Sequence, residues 1–189
     1  MTTPTACLTQ EERDQLTQLL RNSEAEFLQL ISPLSEAQWT EPSSNGWSVQ
    51  QTAEHLVLGE RAMLGKVEEA LANPENPAWQ EQDERKAKFL GRVVPNRALK
   101  ATAPPPLAPH NNWTLEHTIS RFKQGRSRTL KLVMELEEPV KAHCSEHPFP
   151  AFNTLNAYHW LLYIPLHNVR HNQQIAQALQ LASQSEIMP

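Results

Sequence analysis

The sequence predicts an all-α protein, a four-helix bundle with one long crossover connection between its second and third helices. Three observations carry that expectation. Four segments repeat apolar residues at helical period, no stretch shows convincing strand alternation or an internal repeat, and fifteen prolines against five glycines cluster at the breaks between the segments. The length of 189 residues fits one domain, 1–189, with a substantial core.

The first helix begins after Thr9, where Glu12 completes a capping box, and presents Leu16, Leu20, Phe27 and Ile31 as its apolar stripe. It ends near Ser32-Pro33. Between Pro33 and Gly46 the chain reads as irregular, with one turn around Glu36 to Trp39 and a breaker run from Pro42 to Gly46. Ser48 caps the second helix with Gln51 as its reciprocal partner and Trp47 over the helix start; Val49, Ala53, Leu56, Met63 and Val67 face the core. Residues 73–110 are a proline-rich crossover, longer than an ordinary helix connection, with a short charged helix from Gln80 to Lys88 and extended polyproline at Pro104-Pro105-Pro106.

The third helix runs from near Asn112 to about Glu137 with Leu115, Ile119, Phe122, Leu130, Val133 and Leu136 inward. Its Arg121, Lys123, Arg126, Arg128 and Lys131 read as a solvated basic face; the sharper alternative has one or two of them reach an anionic substrate. A loop from Pro139 to Phe152 leads to a fourth helix capped by Asn153 or Thr154, with Leu155, Tyr158, Leu162, Leu166, Val169 and Ala176 on its core side. Pro165 inside that helix removes the bond to the Leu161 carbonyl and is expected to bend the axis.

A net charge of −4 gives no electrostatic reason to expect a nucleic acid or an anionic membrane surface as partner. The N-terminal stretch lacks a basic start followed by an apolar run, and the longest apolar stretch, WLLYIPL, is too short to span a bilayer. Cys7 and Cys144 show no paired spacing, so reduced thiols in a cytoplasmic protein are the simplest expectation.

The chemistry lies in the histidines, of which there are eight. In the run HNVRH, His167 and His171 are one helical turn apart; four residues rotate about 400°, so both imidazoles leave one face and can grip one metal ion. Such a pair also fits two histidines on a partly exposed face. Ile164, Ile175 and Ala178 on the same side put it at the core edge, where neutral imidazoles act as ligands. The third ligand we expect is His55, which shares a stripe with the small Thr52, Gly59 and Ala62, a lane that admits a neighbouring helix. By itself His55 reads as a core histidine bonded to a carbonyl or to Gln51, and it becomes a ligand only jointly with the pair. Gln51 and Gln174 are placed to orient imidazoles. A competing cluster, His143, Cys144 and His147, has zinc-ligand types without a fourth partner, and nothing marks Cys144 as a lowered-pKa nucleophile. His110, His117 and His159 read as surface or packing residues.

Gly46-Trp47-Ser48 leading into Ala53-Glu54-His55-Leu56, together with Tyr158-His159-Trp160 leading into the run His167 to Ile175, resembles the DinB-like superfamily, which includes the YfiT type, a group of expected metal-dependent hydrolases. The resemblance covers most of the chain. It implies a four-helix bundle with a three-histidine site for a divalent metal ion, zinc or nickel, on His55, His167 and His171. It also implies a small-molecule substrate, a homodimer of the kind family members often form, and a low-molecular-weight thiol as a second candidate cofactor, because relatives include thiol-dependent S-transferases and an isomerase that uses such a thiol. The functional expectation is therefore a metal-dependent enzyme that activates water or a thiol, as a hydrolase or S-transferase. Glu54 and Glu60 face away from His55, which leaves no obvious general base and fits thiol transfer better than peptide hydrolysis. The alternative is a non-catalytic bundle that binds a metal or another ligand.

Overall fold

In a computed structural model, residues 5–43, 46–81, 83–100, 102–110 and 112–185 are described, with side chains as far as residue 180. The remaining positions, which include Ser44 and Asn45 of the expected breaker run and Gln82 of the expected charged helix, lie outside the described residues. Four long helices form the bundle: α1 (Gln10–Ile31), α3 (Val49–Ala72), α5 (Leu115–Glu135) and α6 (Ala157–Ser185). A short α2 (Glu36–Thr40) follows α1, and α4 (Asp83–Val93) lies within the crossover. Helices α1 and α3 each pack against both α5 and α6. Among the described residues no helix is long and apolar enough to cross a membrane.

Local chemistry sets the helix starts. Thr9 with Glu12, Ser35 with Gln38 and Ser48 with Gln51 each form a full capping box, and the Thr114 side chain accepts from the His117 N–H. Each such cap contributes about 1 kcal/mol and fixes where the backbone turns helical. Helix α5 therefore starts at Leu115, slightly later than the expected start near Asn112.

The loop before α6 departs from expectation. Cys144–Glu146 (β1) and Thr154–Asn156 (β2) pair antiparallel, with Ser145 opposite Leu155. Strands this short carry too few residues to display alternation in a sequence. Because residue 154 is in a strand, the cap of α6 falls at Asn156, whose Oδ1 accepts the His159 N–H at 2.7 Å. The helix then runs through Pro165 without interruption. Its most buried side is Ala157, Trp160, Leu161, Ile164, Asn168, His171, Asn172 and Ile175, while the expected stripe of Tyr158, Leu162 and Leu166 packs only partly buried at its flank. The polyproline expectation holds at Pro104 alone, since Pro105–Leu107 closes into a 3-10 turn with Leu107 N–H on the Pro104 carbonyl at 2.8 Å. Proline φ suits either conformation, and that bond decides between them.

Arg126 overturns the expected solvated basic face, although Arg121, Lys123, Arg128 and Lys131 are exposed as foreseen. At 1% exposure Arg126 lies in the bundle core, one turn from Phe122 and two from Val133, positions that already point inward. Its Nε and Nη2 donate to the two oxygens of Glu60 at 3.1 and 3.0 Å, and further bonds reach the Leu20 carbonyl, Ser23 Oγ and Asn168 Oδ1. Thr129 Oγ1 donates to Glu60 at 2.6 Å, Asn168 donates to Asn172, and Asn172 donates to the Ser23 carbonyl and Glu26. All four long helices contribute, and no described buried side-chain polar atom lacks a partner. Removing one partner of a buried pair strands the other charge, which costs on the order of 3–5 kcal/mol. Arg126→Met is accordingly expected to lower stability by that amount, read as a fall in the urea midpoint, whereas Arg128→Met on the exposed side leaves it nearly unchanged.

Candidate metal centre

Helix α3 must come close to α6 for His55 to meet the pair, and Gly59 allows it. A Cβ at that position would lie 3.2 Å from His167 Cε1, tighter than ordinary contact, so the imidazole occupies the space a side chain would fill. Gly59 is thus the member of the expected small lane that matters; Ala62 is exposed. One turn before Gly59, His55 enters the same gap.

The three imidazoles converge. His167 Nε2 is 3.3 Å from His55 Nε2 and 3.1 Å from His171 Nε2, and the ligand atoms of the three all lie within 4.8 Å of one another. His55 is 4% exposed and His171 7%, while His167 is partly exposed. Among the described residues this is the grouping of three or more histidine, cysteine or acidic side chains that could hold a metal ion.

Outer contacts set the tautomers. His55 Nδ1–H donates to the Leu107 carbonyl at 2.8 Å, and His171 Nδ1–H donates to Gln174 Oε1 at 2.9 Å. Both rings therefore turn an Nε2 lone pair toward the shared space. A proton on His167 Nε2 can point at only one of them, so the arrangement suits a cation that meets all three. Gln174 plays the orienting role expected of it. Gln51 does not, because its side chain serves the Ser48 cap; the Leu107 carbonyl takes its place, brought by a crossover whose path no sequence pattern shows. Trp47 lies against His55 with ring centroids 5.0 Å apart, and Tyr163, one turn before His167, stands 6.1 Å from it. Tyr163 is not among the expected site residues, although its spacing of four from His167 puts both on one side of the helix.

Burial is the first cause that holds all three imidazoles neutral. It lowers the pKa of His55, takes His167 well below its usual value with help from His171 and His55, and with the influence of His55 brings His171 to about 3. Neutral rings are what metal ligation needs.

The competing cluster is built differently. His143 Nδ1–H is used by the Asn73 carbonyl at 2.7 Å, and His147 accepts from the Phe149 N–H while stacking on Trp160 at 5.0 Å. Burial raises the Cys144 thiol pKa, which opposes thiolate formation. His159 is a packing residue as expected: its Nε2–H donates to the Asp83 carbonyl at 3.0 Å, anchoring α4. The Asp83 carboxylate is also near, at 3.2 Å, but burial holds His159 down to about 4 and raises Asp83, so the contact joins a neutral ring rather than an ion pair.

With this geometry in view, the likeness to known proteins is informative. Residues 19–175 match the family model described as the DinB superfamily. A solved structure, YfiT from Bacillus subtilis, described as "a probable metal-dependent hydrolase with an unusual four-helix bundle topology", superposes with a TM-score of 0.62 at 17% identity over 96% of this chain and 94% of that one. At that identity the likeness establishes the fold. No curated protein sequence matches the chain.

Buried neutral histidines also make stability pH-dependent. A histidine whose folded pKa lies below its unfolded value binds its proton more readily when unfolded, so its contribution is complete above about 6.5 and is lost as pH falls. For His159, with a folded pKa of about 4, the loss at pH 4 is on the order of 3 kcal/mol. Denaturant midpoints of metal-free protein are expected to fall between pH 6.5 and 4, and more shallowly in His159→Asn; an unchanged slope in the variant would show that His159 does not carry the effect.

Proposed function

This chain belongs to the DinB superfamily, and we propose that it is a divalent-metal-dependent enzyme whose ion is held by His55, His167 and His171. The observation that carries this reading is the meeting of three Nε2 atoms at separations of 3.3 and 3.1 Å about His167. A tetrahedral ion with bonds of about 2.0–2.1 Å sets neighbouring ligand atoms roughly 3.3 Å apart. Two of the three separations thus suit a small divalent ion, with all the ligand atoms within 4.8 Å of one another, and zinc and nickel are among the ions that imidazoles hold.

Three uncharged ligands leave a divalent ion its full charge, and the chemistry it supplies is Lewis acidity that lowers the pKa of water or of a low-molecular-weight thiol. The chain's own residues prepare that chemistry. Leu107 and Gln174 hold two rings in one tautomer, and Trp47 and Tyr163 give the centre aromatic neighbours suited to a small-molecule substrate. The acidic residues flanking His55 on α3 are engaged elsewhere, Glu60 with Arg126 and Thr129, and Glu54 with the His110 N–H at 3.0 Å. With neither set as a general base, thiol activation and S-transfer are favoured over hydrolysis of the peptidase kind.

Metal analysis of protein purified without chelator is expected to find a divalent ion in stoichiometric amount, and His167→Ala is expected to lose it; the same stoichiometry in the variant would remove the centre from consideration. Loaded protein is then expected to couple a small electrophile to a thiol in a chelator-sensitive way, and a loaded protein inert in every such assay would favour the non-catalytic alternative. Gly59→Ala pushes on His167 from α3 and is expected to weaken metal affinity roughly 10- to 100-fold, the range for disturbed supporting contacts, measured by competition with a chromophoric chelator.

A further inference from the structure

Along α6 the residues His171, Gln174 and Gln177 follow one another at a spacing that keeps them on one side of the helix. Gln174 orients the histidine, and Gln177 Oε1 accepts an N–H of Arg97 Nη2 at 3.0 Å. Arg97 arrives from the crossover just beyond α4, in a turn closed by Leu99 N–H on the Asn96 carbonyl at 3.2 Å and by Ala98 N–H on Asn96 Oδ1 at 3.0 Å. Arg170, the neighbour of His171, clamps that turn against the bundle by donating to the carbonyls of Val94, Asn96 and Leu99. Arg97 is therefore presented by a loop held on both sides of it.

Among the described residues, this corner gathers positive charge without a paired carboxylate. Burial and the neighbouring Arg170 charge lower the pKa of Arg97, and the contacts of the loop keep the two guanidinium groups at one corner of the bundle, Arg97 on Gln177 and Arg170 next to His171. Among the described residues neither arginine forms an ion pair with a carboxylate. Arg170 commits its donors to three backbone carbonyls. Arg97 binds Gln177 through one nitrogen, and a guanidinium offers five N–H donors in a planar fork. A divalent ion on the histidines would add two more positive charges to a half-buried site already holding two. We propose that the missing countercharge comes with the substrate: the ligand of this centre is a small anion whose carboxylate is received by Arg97, with Arg170 holding the loop in place. The inference rests on the metal reading above and adds the substrate class to it.

The test uses cobalt-loaded full-length protein and two hydroxamates of similar size, succinic monohydroxamate, which carries a free carboxylate, and butyrohydroxamate, which carries none. Each is titrated against the cobalt absorption spectrum in wild-type protein and in Arg97→Gln, a change that keeps a polar partner for Gln177. The charged hydroxamate is expected to bind wild-type protein roughly tenfold more tightly than the neutral one or better, as for a charge-assisted hydrogen bond. Arg97→Gln should erase that preference while butyrohydroxamate affinity and the unliganded spectrum stay the same. Equal affinities in the wild type, or a preference that survives Arg97→Gln, overturn the anion seat and leave the metal reading standing. Cobalt that binds but responds to neither compound also overturns it, and a protein that takes up no cobalt sinks the metal reading and this inference together.

Discussion

The bundle depends on one buried charge. Arg126 joins Glu60 on α3, the backbone and Ser23 of α1, and Asn168 of α6 from its place on α5. A desolvated guanidinium is tolerable only when all its donors are met, which allows one relative placement of the four helices and penalises sliding any of them. The residues of this knot are immediate neighbours of the candidate centre: Glu60 follows Gly59, Asn168 follows His167 and Asn172 follows His171. The contacts that hold α6 in register on its inner side therefore also set the height at which the two histidines meet His55. Apolar packing alone, which is non-directional, leaves more freedom of register.

The crossover completes the centre rather than merely connecting helices. Its 3-10 turn supplies the Leu107 carbonyl to His55, its backbone at His110 binds Glu54, and its turn after α4 is fastened to α6 by Arg170. Prolines suit this work. They restrict the unfolded chain and so reduce the entropy lost on ordering a long connection, and where they lack an N–H they leave carbonyls free to accept from side chains. A connection of this length would otherwise be a weak place in the fold, and here it is tied to α3 and α6 at the positions that bear on the histidines.

Where the sequence reading departs from the structure, nonlocal bonds explain the difference. Arg126 sits at core-facing period beside Phe122 and Thr129, yet its charge argues for solvent, and only the carboxylate of Glu60, far away along the chain, reverses that preference. The hairpin of Cys144–Glu146 and Thr154–Asn156 moves the cap of α6 to Asn156, and bonds to Arg126, Ser23 and Glu26 accompany the deeper burial of Asn168 and Asn172 relative to Leu162 and Leu166. Hydropathy ranks those residues the other way, because it has no term for a hydrogen-bonded partner on another helix.

The capping boxes of α1 and α3, the end of α1 and the pairing of His167 with His171 on one face were decided by neighbours within a turn, and local steric and hydrogen-bonding rules read them directly from the residues. The small-residue stripe of its helix marked His55 as a candidate third ligand, and the resemblance to a known superfamily supported it. What the tertiary structure alone decided is how closely the imidazoles approach, which carbonyl orients His55, and that Arg97 comes to lie against Gln177 on the helix that carries His167 and His171. Those depend on the close contact at Gly59, on the path of a long connection and on a charge knot built from four helices, and each joins residues whose separation along the chain leaves no periodic trace.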